Sequence, residues 1–156
     1  GVPGATVIER TTDDGTPMIT LSGREVALRG IRFDDSAEDT AACVKVTGSR
    51  CVVTGCVFDD CFRAIEVNGT SSVRITDNLV LSVRDTSYAI YVTNSAVDGI
   101  MAGNVVETDT AGTEIRFDDA TLRWAIVGNQ TVNGVISHRN ADNHSVAGNP
   151  GTVTAR

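Results

Sequence analysis

The chain is poor in aromatic side chains, which make up 4% of its 156 residues, and it has only three prolines and two histidines. So few rings suit a narrow interior filled by stacked aliphatic side chains. No run of 18 apolar residues occurs, so no membrane-spanning helix and no membrane insertion are expected. Thirteen Lys and Arg stand against twenty Asp and Glu, for a net charge of −7. With no basic stripe, nucleic acid and an anionic membrane surface are poor partners. Nowhere do apolar residues recur at i, i+3, i+4 and i+7 over three turns, so helices are not expected. The four cysteines contain no C-x-x-C pair, and there is no nucleophile elbow, phosphate loop or metalloprotease motif.

What the chain does have is a repeat of about 25 residues. A glycine or aspartate recurs at Gly30, Gly55, Asp77, Gly103, Gly128 and Gly148, in steps of 25, 22, 26, 25 and 20. In the last four copies the next residue is Asn78, Asn104, Asn129 or Asn149, where the first two have Ile31 and Cys56. Two residues before each anchor stand Leu28, Val53, Ile75, Met101, Ile126 and Val146. A second column, Ile19-Thr20-Leu21, Val44-Lys45-Val46, Ile65-Glu66-Val67, Ile90-Tyr91-Val92 and Ile115-Arg116-Phe117, advances by 25, 21, 25 and 25. The two columns lengthen and shorten together, so they belong to one repeating unit. Self-similarity at this period marks a solenoid.

Each unit holds two or three short stretches alternating apolar and polar residues, the period of a strand with one buried face. Asn, Asp and Gly fall at the turns, where positive φ is tolerated. Like segments recur only after a whole repeat, so like strands stack in parallel, about 4.8 Å per coil, and six coils make a rod of about 29 Å. The Asn column is expected to form an internal ladder, each side-chain amide bonding the next coil. The expected fold is all-β, a single-stranded parallel β-helix (solenoid) of about six coils, in one domain spanning residues 1–156. The Gly-Val-Pro-Gly start without Met, and the lack of any capping helix pattern, lead us to expect a piece of a longer chain or one capped by other chains.

Segments such as Ser72-Val73-Arg74-Ile75-Thr76-Asp77-Asn78-Leu79-Val80 and Met101-Ala102-Gly103-Asn104-Val105-Val106 resemble the right-handed β-helix repeat of the pectate-lyase-like superfamily. The resemblance spans about Gly4 to Asn149. It implies a right-handed coil, and it implies company with polysaccharide lyases, glycoside hydrolases, epimerases and bacteriophage tailspikes. Enzymes of that superfamily set Ca²⁺ ligands and a basic catalytic residue on one sheet. The outward mixture matching that pattern here is Lys45, Glu66 and Arg116.

The outward positions of the second strand form a stripe, Thr20, Lys45, Glu66, Tyr91 and Arg116, with Lys45 and Glu66 placed to pair. Charged, hydroxyl and aromatic groups in a row suit a sugar chain, with its hydroxyls and apolar ring face, so Lys45, Glu66, Tyr91 and Arg116 are candidate substrate-binding residues. The same stripe fits a solvated face with ordinary cross-strand pairs. Acidic pairs follow phenylalanine at Phe33-Asp34-Asp35, Phe58-Asp59-Asp60 and Phe117-Asp118-Asp119, the first two 25 residues apart. Asp34, Asp59 and Asp60, with Glu66, are the candidate catalytic residues, as an acid and base flanking a glycosidic bond. Asp residues at strand ends also fit plain turn formation. Asp118 and Asp119 are expected at a different edge, apart from that cluster, and no Asp is expected on the stripe. No cofactor is called for, with Ca²⁺ the one ion the acidic cluster suits.

Cys43, Cys51, Cys56 and Cys61 crowd into one coil, three coils from His138 and His144, so a zinc site is not expected. Cys51 falls in the inward column of Val26 and Val73, and Cys56 takes an Asn-ladder position. A Cys43–Cys61 or Cys56–Cys61 disulfide is open, and so is a fully reduced set. Asn68-Gly69-Thr70, Asn129-Gln130-Thr131 and Asn143-His144-Ser145 are read as chance matches to the glycosylation pattern, Asn129 because it belongs inside. Three functions remain. The favoured one is a virion tailspike or fibre segment, in the virion or extracellular, that binds and can cleave bacterial surface polysaccharide as a homotrimer, with Val52, Ile100, Ala125 and Val127 facing sister chains. The others are a secreted polysaccharide lyase or hydrolase and a structural spacer.

Overall fold

Alternating apolar residues put one side of each strand inside, and turn residues bend the chain before any strand grows long. In the computed structural model most strands run three to five residues. The structure describes residues 6–12, 14–35, 40–83, 88–108, 113–118, 120–132, 134–138, 144–150 and 152–155. Three parallel sheets result. The first stacks β1 (Thr6–Glu9), β4 (Ile31–Asp34), β7 (Val57–Asp59), β10 (Leu79–Val83), β13 (Val105–Thr108) and β16 (Gln130–Thr131). The second stacks β2 (Ile19–Leu21), β5 (Ala42–Val46), β8 (Arg63–Asn68), β11 (Ile90–Thr93), β14 (Thr113–Phe117), β17 (Val135–His138) and β19 (Thr152–Ala155). The third stacks β3 (Ala27–Arg29), β6 (Val52–Thr54), β9 (Arg74–Thr76), β12 (Ile100–Ala102), β15 (Ala125–Val127) and β18 (Ser145–Ala147).

The chain is therefore a β-solenoid of the right-handed type, with three strands per coil. Six rungs span about five full turns. No helix among the described residues is long and apolar enough to cross a membrane.

The repeat columns become physical columns. Gly30, Gly55, Asp77, Gly103, Gly128 and Gly148 all have φ between 56° and 65°. A residue with a Cβ is disfavoured there, and Asp is among the better tolerated. Each anchor N–H from Gly30 to Gly128 donates to a carbonyl of the next coil, as Gly103 does to Val127 O at 3.1 Å. One residue on, the asparagines form the expected ladder. Asn104 Oδ1 accepts from both the backbone N and the Nδ2 of Asn78, at 3.1 and 2.9 Å. Asn104 Nδ2 donates to Ile75 O and to Asn129 Oδ1, at 2.9 and 2.8 Å. Asn129 repeats the pattern onto Asn149, and Cys56 N–H closes the other end on Asn78 Oδ1 at 3.0 Å. Buried amides are thus satisfied by each other, which low-dielectric burial requires.

The interior holds more rings than the composition led us to expect. Phe33 and Phe58, register partners on β4 and β7, stack with centroids 4.9 Å apart and planes 6° apart. Phe117 meets Trp124 edge-on at 5.4 Å, and all four rings are buried. A second column of positive φ, Glu25, Arg50, Ser72, Asp98 and Arg123, runs along another turn with no glycine in it. There Arg50 pairs with Glu25 at 2.9 Å and Arg123 with Asp98 at 2.5 Å, coil to coil.

Candidate functional site

The outward stripe of the second sheet has the expected register. Thr20, Lys45, Glu66, Tyr91 and Arg116 are successive partners. Their neighbours Val44, Val46, Ile65, Val67, Ile90, Val92, Ile115 and Phe117 are buried, so alternation fixes the stripe outward on a rigid base.

Lys45 Nζ meets Glu66 Oε1 at 3.1 Å, as the spacing predicted. Arg63 Nη1 donates to the other oxygen, Oε2, at 2.6 Å, and Asn68 Nδ2 donates to Oε1 at 3.2 Å. Burial pushes the Glu66 carboxyl toward protonation. The bonds from Asn68 and Lys45 and the charges of Lys45 and Arg63 outweigh that, and its pKa lies below the ordinary value.

One coil on, Tyr91 donates its hydroxyl to Asp118 Oδ2 at 2.5 Å, and Thr93 Oγ1 donates to the same oxygen at 2.7 Å. Arg116 Nε reaches Asp118 Oδ1 at 3.3 Å, and Arg116 Nη1 donates to the Tyr88 hydroxyl. The Arg116 guanidinium lies over the Tyr88 ring at 4.7 Å, and that of Arg63 over Tyr91 at 5.0 Å. The two tyrosine rings lie 5.2 Å apart and tilted by 37°. Burial raises the Asp118 pKa, but the bonds from Tyr91 and Thr93 and the nearby Arg116 win, so it too sits low. Burial and the bond to Asp118 push the Tyr91 phenol up. Tyr91, Thr93, Asn94, Ser95, Arg116, Asp118 and Ala120 line a shallow open depression of about 430 Å³.

Asp118 follows a strand of the second sheet, apart from Asp34 and Asp59, as expected. What was not expected is that it stands beside the stripe, bonded to Tyr91 and Arg116. The reason is the strand period: Asn68, Thr93 and Asp118 follow Glu66, Tyr91 and Arg116 by two residues, so they share the outward side and form a second stripe beside the first. Asn68 and Thr93 are register partners, and Asp118 N–H donates to Val92 O at 3.0 Å. Arg63 and Tyr88 were also missed. Each stands three residues before a stripe residue, at or before the strand start, where alternation gives no direction. Asp119 lies outside the described residues.

Asp34 does lie against Asp59, as register partners on β4 and β7. Arg32 Nη2 bonds Asp59 Oδ2 at 2.5 Å, and Asp60 takes a left-handed turn with φ 51°. These three belong to the first sheet and its corner, whereas Glu66 belongs to the second. The four candidate catalytic residues are therefore split between two sheets. Asp35 points inward, fully buried, with Arg10 Nε at 3.0 Å from its Oδ1. Asp35, Cys43 and Cys61 bring one donor atom each to within 4.8 Å of one another, the one such triple among the described residues. Asn129 is buried in the ladder, as expected, while Asn143 lies outside the described residues.

On the third sheet Val52, Ile100 and Ala125 are half-buried and Val127 is 42% exposed. Exposed Arg74 stands between Val52 and Ile100 in their column, so the apolar strip is interrupted. Searches against family models, curated proteins and solved structures each found no match to this chain.

Proposed function

We propose that the second sheet is a polysaccharide-binding face and that the chain is a segment of a virion spike or other extracellular fibre meeting bacterial surface polysaccharide. The observation carrying this is the cluster of Tyr88, Tyr91, Arg116 and Asp118. Two neighbouring rings, each with a guanidinium over it, put apolar area beside polar groups that are held in place by each other on a rigid sheet. Preorganised aromatic and polar groups in a depression are what a ligand site requires. Binding is favoured over cleavage because Glu66 and Asp118 are both biased toward the ionised form. Glycoside hydrolysis needs one carboxyl kept protonated near neutral pH.

The test is a glycan array of bacterial capsular and lipopolysaccharide chains, followed by titration of any ligand found. Tyr91→Ala and Tyr88→Ala should each weaken binding at least about tenfold, the loss of roughly 1.4 kcal/mol expected of a tyrosine anchor. Arg50→Ala, at a different turn, should leave it unchanged. Binding insensitive to both tyrosines would refute the site, and release of new reducing ends would replace binding alone with cleavage. As part of a fibre the chain would assemble as a trimer through the third sheet, about Val52, Ile100, Ala125 and Val127. Sedimentation as a monomer at micromolar concentration would remove that part.

A further inference from the structure

Cys43 on β5 and Cys61, two residues before β8, lie on consecutive coils and are both fully buried. Their sulfurs stand 2.7 Å apart. Two thiolates sharing a tetrahedral zinc, with bonds of about 2.3 Å, keep roughly 3.8 Å between them. The Cys43–Cys61 approach is much closer, and Asp35, the third donor of the group, is engaged by the Arg10 guanidinium at 3.0 Å. The other two thiols are turned away. Cys51 Sγ faces Gly23 O at 3.3 Å, and Cys56 Sγ faces Thr54 O at 3.5 Å. Cys43 Sγ also lies 4.0 Å from Asp35 Oδ2.

We propose that Cys43 and Cys61 are a disulfide-forming pair that staples two coils of the solenoid. The step is thiol–disulfide exchange with a small-molecule disulfide such as oxidised glutathione. Cys43 thiolate attacks the oxidant, displacing one thiol, and Cys61 then attacks the mixed disulfide, displacing the second. One S–S bond forms in the protein and one breaks in the oxidant, whose two halves leave with the two protons and two electrons. Because both sulfurs are buried, exchange precedes closure of these coils, and the finished bond is shielded from reductant. The link spans 18 residues and enters the segment carrying Arg63 and Glu66, so it also braces one edge of the tyrosine face. In the chain-entropy account a loop of this size shifts the folding equilibrium by about 200-fold. The inference does not depend on glycan binding.

The experiment is refolding of the full chain in a glutathione redox buffer, alkylation with iodoacetamide and tryptic mass mapping. Cleavage after Lys45 and Arg50 separates Cys43, in peptide 33–45, from Cys61, in peptide 51–63. The expected product is those peptides joined, lighter by two hydrogens, with fragmentation placing the bond on Cys61. The Cys51→Ala/Cys56→Ala variant should keep the bond, and Cys43→Ala/Cys61→Ala should abolish the fall in the urea midpoint that reduction causes in the parent chain. Four alkylated thiols, or a bond to Cys51 or Cys56, would overturn the proposal. So would a stoichiometric cobalt–thiolate band when Co²⁺ is added to the reduced protein, which would make the triple a metal site.

Discussion

Removing one rung from the middle of the asparagine ladder should cost far more than removing one at its end. Asn104 makes four side-chain hydrogen bonds and is fully buried. In Asn104→Ala the backbone N–H of Asn78 loses its acceptor, Asn78 Nδ2 loses one of two, and Ile75 O loses a donor, all beyond the reach of water. At about 1 kcal/mol per bond the loss is about 4 kcal/mol, and unsatisfied buried groups push it upward. Against a total of 5–15 kcal/mol for a typical domain, that is a large share. Asn149 also makes four such bonds, but it is half-buried and water can replace part of the set. Asn149→Ala should therefore cost only about 1–2 kcal/mol.

Urea titration followed by the fluorescence of Trp124, the one tryptophan, measures both. With a slope near 2 kcal/mol per molar, the midpoint should fall by about 2 M for Asn104→Ala and by less than about 1 M for Asn149→Ala. Exchange of the Asn78 amide hydrogen should accelerate in the first variant and stay slow in the second. Equal losses at the two sites, or a loss below about 1 kcal/mol at Asn104, would refute the view that the amides stabilise the stack as a satisfied buried chain.

Three further outcomes follow from the same structure. Cys56→Asn should extend the ladder by a rung, since Cys56 Sγ already faces Leu28 O at 4.0 Å, as Asn78 Nδ2 faces Val53 O; the urea midpoint should rise by about 0.5 M, for about 1 kcal/mol. Gly99→Ala should destabilise by about 2–3 kcal/mol in the same assay, because its Cβ would meet the Trp124 ring at 2.4 Å. The pKa values of Glu66 and Asp118 are lowered on folding, so their contribution is complete above the unfolded values of about 4 and is lost as pH falls through the folded ones. Stability should fall on acidification below about pH 4.5, and less steeply in Glu66→Gln/Asp118→Asn; an unaltered acid limb would show that the two carboxylates are not stabilised by their partners.

The architecture was legible because a solenoid repeats its constraints. Every coil must make the same turn with a positive φ, and from the third copy on each carries the ladder amide, so Gly30 to Gly148 and Asn78 to Asn149 recur. The other left-handed column stayed hidden for the converse reason. Glu25, Arg50, Ser72, Asp98 and Arg123 carry no common residue type, and charge pairing between exposed neighbours accompanies that turn where glycine would otherwise serve. The interior rings were underestimated because composition counts residues without their register. Phe33 and Phe58 fall 25 apart at one inward position, so the few rings available concentrate in the core.

The tyrosine face was half legible, and the missing half follows a simple geometric rule. A flat parallel sheet presents two outward positions per strand, two residues apart, and a ligand meets both. One column was read, Lys45 to Arg116, with the Lys45–Glu66 pair in it. The neighbouring column, Asn68, Thr93 and Asp118, supplies the bonds that hold Glu66, Tyr91 and Arg116 in place. Asp118 was set apart from Asp34 and Asp59 because it follows the other strand, and that separation holds: β4 and β7 of the first sheet end at Asp34 and Asp59, while β14 of the second ends at Phe117. The same three letters thus place Asp59 against Arg32, and Asp118 against a tyrosine hydroxyl and a guanidinium. In a solenoid, a residue's chemistry is set first by which sheet its strand joins and only then by its neighbours in sequence.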